Sequence, residues 1–108
     1  MKNQKNGPGK AAIFRKLLAN SDKIRRLGVK RIGLFGSVAT GHSRPKSDID
    51  LLIEFNPGQE TFSNLMGLYN LLARLLTGKK IDLVTRGGLS PYLAPHILKE
   101  VQYIEGFN

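Results

Sequence analysis

Apolar residues along this chain recur in two rhythms, one of three to four residues and one of two. Lys10 to Ala19 has the first, with Ile13, Phe14, Leu17 and Leu18 on one side of a predicted helix. Asn20-Ser21-Asp22 breaks it. Ser21 is placed to cap a second short helix running through Leu27, and Gly28 suits its C′ position. Val29 to Phe35 carries Ile32, Leu34 and Phe35 and predicts a strand that Gly36 ends. A connection with Gly41 and Pro45 as breakers leads to a second strand, Asp48 to Phe55. Its unbroken Leu51-Leu52-Ile53 predicts burial on both faces. Asn56-Pro57-Gly58 reads as a turn.

Thr61 to Thr77 is the longest predicted helix. Its main stripe is Phe62, Leu65, Tyr69, Leu72 and Leu76, and Leu68, Leu71 and Leu75 form a second stripe beside it. That arc is wider than a one-sided surface helix needs. Two readings follow: the helix lies between the sheet and another helix, or part of it meets a partner. Gly78 ends it, Lys80 to Thr85 is a third strand, Gly87-Gly88 a loop, and Ser90-Pro91 starts a last helix running Tyr92 to Tyr103. There is no internal repeat. The order α-α-β-β-α-β-α predicts an α/β (α+β) fold: one mixed sheet of three strands, open to extension, with helices packed on it. The stretch between strands two and three is long enough for a crossover helix. Residues 1–9 read as a flexible basic tail and residues 10–108 as one domain, since 108 residues hold one core.

Composition narrows the chemistry. Hydrophobic content of 41% with 23% charged residues fits a folded globular chain. The absence of cysteine excludes disulfides, thiolate catalysis and Cys-based zinc sites. The N-terminus lacks the apolar core of a signal peptide, and Leu65 to Leu76, interrupted by Asn70 and Arg74, is too short to span a bilayer. The expectation is a cytoplasmic protein with no membrane role. The net charge of +9 is uneven: residues 1–46 carry twelve Lys/Arg against Asp22, and residues 47–108 carry five against seven acids. Such a field attracts polyanions, whether nucleoside triphosphate, nucleic acid or acidic protein, and equally suits a plain solvated surface.

The chemistry concentrates between Gly36 and Asp50. Glycine after a strand lets a backbone N–H approach a phosphate, and Ser37 can donate its hydroxyl to a phosphate oxygen, although Gly-Ser alone also suits an ordinary turn. A helical turn over 38–41 would add a partial positive charge at that spot. No Gly-Lys-Ser/Thr follows, so this is not a P-loop. Asp48 and Asp50 open the second strand, where aspartate is depleted, and residues two apart share a strand face. Pairing with Arg44 and Lys46 is one way to hold them. Asp82, a third acid inside an apolar strand, favours a common hard cation. Two Mg²⁺ ions bridged by the three carboxylates would suit in-line displacement at phosphorus. His42 and His96 read as exposed or structural, and Tyr69, Tyr92 and Tyr103 as packing residues.

Gly36-Ser37, ten residues, then Asp48-Ile49-Asp50, with a third aspartate on a later strand, resembles the polymerase-β-type nucleotidyltransferase superfamily. Within it the chain is similar to the minimal nucleotidyltransferases, the MNT or MntA antitoxins of HEPN/MNT toxin–antitoxin pairs. The similarity runs from about Leu27 to Tyr103 and includes Val29–Ser37 and the segments Leu89-Ser-Pro-Tyr-Leu93 and Glu100-Val-Gln-Tyr103. The resemblance implies that Gly36 and Ser37 hold the triphosphate and that Asp48 and Asp50 bind both metals. Asp82 would complete one metal shell and help deprotonate the acceptor. It implies transfer of AMP from ATP to a tyrosine of a HEPN-type toxin, with release of pyrophosphate. Nucleic acid is not required, and a hetero-oligomer or homodimer is expected. A non-catalytic binding antitoxin, a nucleic-acid module using the basic first half, and transfer to a small molecule are the alternatives. Thr40 departs from the arginine many relatives carry there. A phosphate or structural contact would then be lost, or supplied by Arg44 or Lys46.

Overall fold

The computed structural model describes residues 9–42, 44, 46–104 and 107. Apart from Gly9, the expected basic tail lies outside the described residues, as does Pro45. The elements are α1 (Lys10–Ala19), α2 (Ser21–Arg26), β1 (Val29–Phe35), α3 (Gly36–Ala39), β2 (Ile49–Phe55), α4 (Phe62–Leu75), β3 (Ile81–Thr85), a 3₁₀ turn (Arg86–Gly88), α5 (Ala94–Glu100) and β4 (Gln102–Tyr103). The sheet order is β3-β2-β1-β4. β1 is antiparallel to β2 and to β4, whereas β2 and β3 are parallel, with α4 as their crossover. Among the described residues no helix is long and apolar enough to cross a membrane.

Alternation along the strands sorts the two faces. Ile32 and Leu34 of β1, Ile49, Leu51 and Ile53 of β2, and Ile81 of β3 face one core. That core is closed by Ile13 and Leu17 of α1, Ile24 of α2, and Leu68, Leu71 and Leu72 of α4, with Leu76 just past its end. Leu52 points to the opposite face and is also fully buried, so the expected two-sided burial of Leu51-Leu52-Ile53 holds. On that second face Val101 and Tyr103 lie over Gly33, where an added Cβ would be 2.5 Å from Val101 Cγ2. Each of these full burials contributes about 1.5–3 kcal/mol.

Several boundaries and faces differ from the expectations. Ser21 does not cap α2: Asn20 holds the N-cap position, with no side-chain cap hydrogen bond. The long helix starts one residue later than expected, with Thr61 as its N-cap accepting the Asn64 N–H at 3.0 Å. Its buried side is the second stripe joined by Leu72 and Leu76. Phe62 is 80% exposed, and Met66 and Tyr69 are exposed beside it. Helical periodicity allows either stripe to face inward, and the rotation of α4 about its own axis turns Leu68, Leu71 and Leu72 to the core. The last helix is shorter than expected, because Val101 turns extended and Gln102–Tyr103 becomes β4 against β1. The sheet therefore has four strands. Tyr92 is 87% exposed and does not pack, whereas Tyr103 is half-buried with the Arg31 guanidinium 3.7 Å above its ring.

Candidate active site

The site forms where β1 stops. Gly36 takes φ +77°, a left-handed conformation that glycine adopts without a Cβ penalty, and starts the single turn of α3. A Cβ at this position would lie 2.1 Å from Asp50 Oδ2, so the glycine backbone and the Asp50 carboxylate are in intimate contact. Ser37 follows, partly buried. Thr40 closes the turn on itself, its hydroxyl donating to the carbonyls of Gly36 at 3.1 Å and Ser37 at 3.3 Å. The His42 N–H adds a bond to Ser37 O at 2.8 Å, and His42 Nδ1 lies 3.2 Å from Thr40 Oγ1. Thr40 therefore serves the turn's own backbone. His42, His96, Arg44 and Lys46 are exposed.

The sheet register brings the acids together. Asp50 pairs with Phe35 of β1 on one side and with Asp82 of β3 on the other. In-register neighbours on adjacent strands are about 4.8 Å apart and point to the same face. Asp48 stands one residue before β2, partly buried, while Asp82 is exposed on the edge strand. Burial, then the charges of Asp82, Asp48 and Glu100, push the Asp50 carboxyl up to about 6. Among the described residues no three acidic or histidine side chains are gathered into a ready-made metal cage. The structure instead sets a row of carboxylates along one end of the sheet, with Asp50 held against Gly36.

One neighbour was not singled out from the sequence. Glu100, the last residue of α5, accepts the Gly36 N–H at 2.8 Å. Gln102 fixes the same junction by donating from Nε2 to Ala39 O at 2.8 Å. In the sequence Glu100 reads as an exposed helical acid, and only the pairing of β4 with β1 fixes where it falls.

The nucleotidyltransferase domain family matches residues 17–104, a span that contains the turn, the three aspartates and β4. The chain belongs to this family. The "Protein adenylyltransferase MntA" of Thermococcus cleftensis is 35% identical over 91 residues, covering 82% of this chain and 88% of that protein. A solved structure described as a minimal nucleotidyltransferase is 35% identical with a TM-score of 0.66, covering 82% of this chain and 93% of the other. A solved toxin–antitoxin with AMP-PNP is 26% identical with a TM-score of 0.62, covering 81% of this chain and 73% of the other. The four-stranded mixed sheet with its crossover helix is thus the minimal nucleotidyltransferase fold.

Proposed function

We propose that this nucleotidyltransferase transfers AMP from ATP to a tyrosine hydroxyl of a HEPN-type toxin and thereby acts as its antitoxin. The observation that carries the reading is the placement of Asp50 and Asp82 in register beside the Gly36 turn, with Asp48 adjoining them. Support for the acceptor class comes from the sequence pattern, from the adenylyltransferase name of the Thermococcus relative, and from the similarity to a toxin–antitoxin with AMP-PNP. The exposed Phe62, Met66 and Tyr69 on α4, together with Tyr92 and Leu93, give the domain apolar surface suited to a protein partner.

In this reading the Gly36 N–H and the Ser37 hydroxyl hold the polyphosphate. The acceptor oxygen attacks the α-phosphorus, the bond from that phosphorus to the bridging oxygen breaks, and pyrophosphate leaves. Asp82, exposed at the sheet edge, takes the acceptor's proton in this reading. The all-oxygen donor set of Asp48, Asp50 and Asp82 suits a hard divalent cation, and the Asp50 carboxyl, raised first by burial and then by the charges of Asp82, Asp48 and Glu100, is one that such a cation would help to hold ionised. Mg²⁺ bound there would neutralise charge on the reacting phosphates and orient them for displacement.

The test is transfer of label from α-labelled ATP to the toxin in Mg²⁺. Wild type is expected to label the partner, and the Asp48→Asn, Asp50→Asn double variant to lose at least about a hundredfold in rate. Undiminished labelling by the double variant would refute the assignment.

A further inference from the structure

Glu100 stands where both local and long-range electrostatics oppose it. It is an acid at the C-terminal end of a helix, the end that favours cations. It is also close enough to Asp50 to be one of the charges raising that carboxyl. Topology explains how it arrives there. β4 pairs Gly33 with Tyr103 and Leu34 with Gln102. Continuing that antiparallel register by two residues sets Glu100 beside Gly36. The Gly36 N–H donates to its Oε1 at 2.8 Å, while Asp50 Oδ2 occupies the space where a Gly36 Cβ would be. Two carboxylates thus meet on one glycine.

A carboxylate oxygen and a phosphate oxygen make the same demand on a backbone N–H, a charge-assisted acceptor at about 2.8 Å. Glu100 therefore holds the group that the polyphosphate needs. Its backbone is fixed by β4 and by the Gln102–Ala39 bond, but its side chain is exposed and can leave by a rotamer change alone.

We propose that Glu100 is a built-in competitor of the polyphosphate: its carboxylate closes the Gly36 amide in the nucleotide-free protein and must vacate it before a triphosphate is bound. This rests on the reading of Gly36–Ser37 as a polyphosphate-binding turn and not on the transfer chemistry. The apparent affinity for nucleotide is lowered by this contact. Any event that draws the α5–β4 junction away from β1 raises it.

The experiment uses the full chain as wild type, Glu100→Ala and Glu100→Gln, titrated with inorganic tripolyphosphate and with ATP by calorimetry, with the Gly36 amide followed by NMR. Removing the carboxylate is expected to shift the Gly36 amide resonance without ligand. In Glu100→Ala, where an acceptor and a like charge are lost together, tripolyphosphate binding is also expected to tighten about three- to tenfold, and in Glu100→Gln, which loses the charge alone, by less. A purely structural Glu100 would lower the melting temperature with no gain in affinity. Unchanged or weaker binding overturns the proposal, the latter being the behaviour of a glutamate that assists through a bound cation. So does binding that leaves the Gly36 amide unmoved, or no tripolyphosphate binding by any of the three proteins. If Glu100→Ala does not fold, Glu100→Gln, whose amide oxygen still accepts the Gly36 N–H but carries no charge, tests the charge part of the competition, and unchanged or weaker tripolyphosphate binding by it overturns the proposal. Tighter binding without label transfer to any acceptor would refute the transferase reading and leave the competitor standing.

Discussion

Gly36→Ala is the sharpest single perturbation of the site. Alanine at φ +77° costs about 1 kcal/mol of backbone strain, which for a domain of this size lowers the melting temperature by about 5 °C. The larger effect is local. The new Cβ would stand 2.1 Å from Asp50 Oδ2, whereas real Cβ atoms essentially never come within 3.0 Å of a neighbour. The carboxylate must retreat by about 1 Å, and a misplacement of that size at a reacting centre costs on the order of a hundredfold in rate. Gly41→Ala separates the two effects. Gly41 has nearly the same backbone angle, φ +81°, but nothing within 4 Å of its added Cβ. Both variants should lose similar stability in thermal unfolding, and only Gly36→Ala should lose transfer of α-label, by about a hundredfold. Equal transfer rates for the two variants would show that the Gly36–Asp50 contact is not part of the reacting centre.

Two further outcomes follow from packing and charge. Leu72→Ala, at a fully buried core position, should cost about 2–5 kcal/mol, whereas Phe62→Ser on the exposed side of α4 should change stability by less than about 0.5 kcal/mol and weaken toxin binding; chemical denaturation and a pull-down with the toxin check both. For Asp50 the sign is set by its raised carboxyl. The folded state holds that proton up to a pH of about 6, whereas the unfolded chain releases it near the ordinary aspartate value of 3.8. The folded form therefore binds the extra proton in that window, and this group's contribution to stability falls as pH rises through it. The melting temperature of Asp50→Asn should gain on that of the metal-free wild type across the window. Mg²⁺ should raise the wild-type value mainly above it. A Mg²⁺ effect independent of pH, or equal in Asp50→Asn, would contradict the account.

Much of this molecule was legible before its structure. β1 and α1 begin and end where they were expected to, and the acids Asp50 and Asp82, which stand out because a strand interior tolerates aspartate poorly, prove to be in-register neighbours at the candidate site. What stayed hidden depended on angles and register. Phe62 and Leu68 have equal claims to the core until the rotation of α4 about its own axis is known. Gln102–Tyr103 is too short, and too close to a helix, for a period of two to emerge. Glu100 looked like any exposed helical acid, since its place beside Gly36 is fixed only by the pairing of β4 with β1. Arg31, Glu54 and Tyr103 likewise lie far apart in sequence. The sheet brings the Arg31 guanidinium to 2.8 Å from Glu54, with the Tyr103 hydroxyl 3.2 Å from the same carboxylate oxygen.

The central claim is nucleotidyl transfer at the Gly36, Asp48, Asp50 and Asp82 site, and the position of the label tests it most directly. Parallel reactions with toxin and Mg²⁺ would use ATP labelled at the α-phosphate in one tube and at the γ-phosphate in the other. Label retained on the toxin from the α-phosphate alone, with the γ-label recovered as pyrophosphate, is the predicted result. Label reaching the toxin from the γ-phosphate, or from neither, would contradict the account.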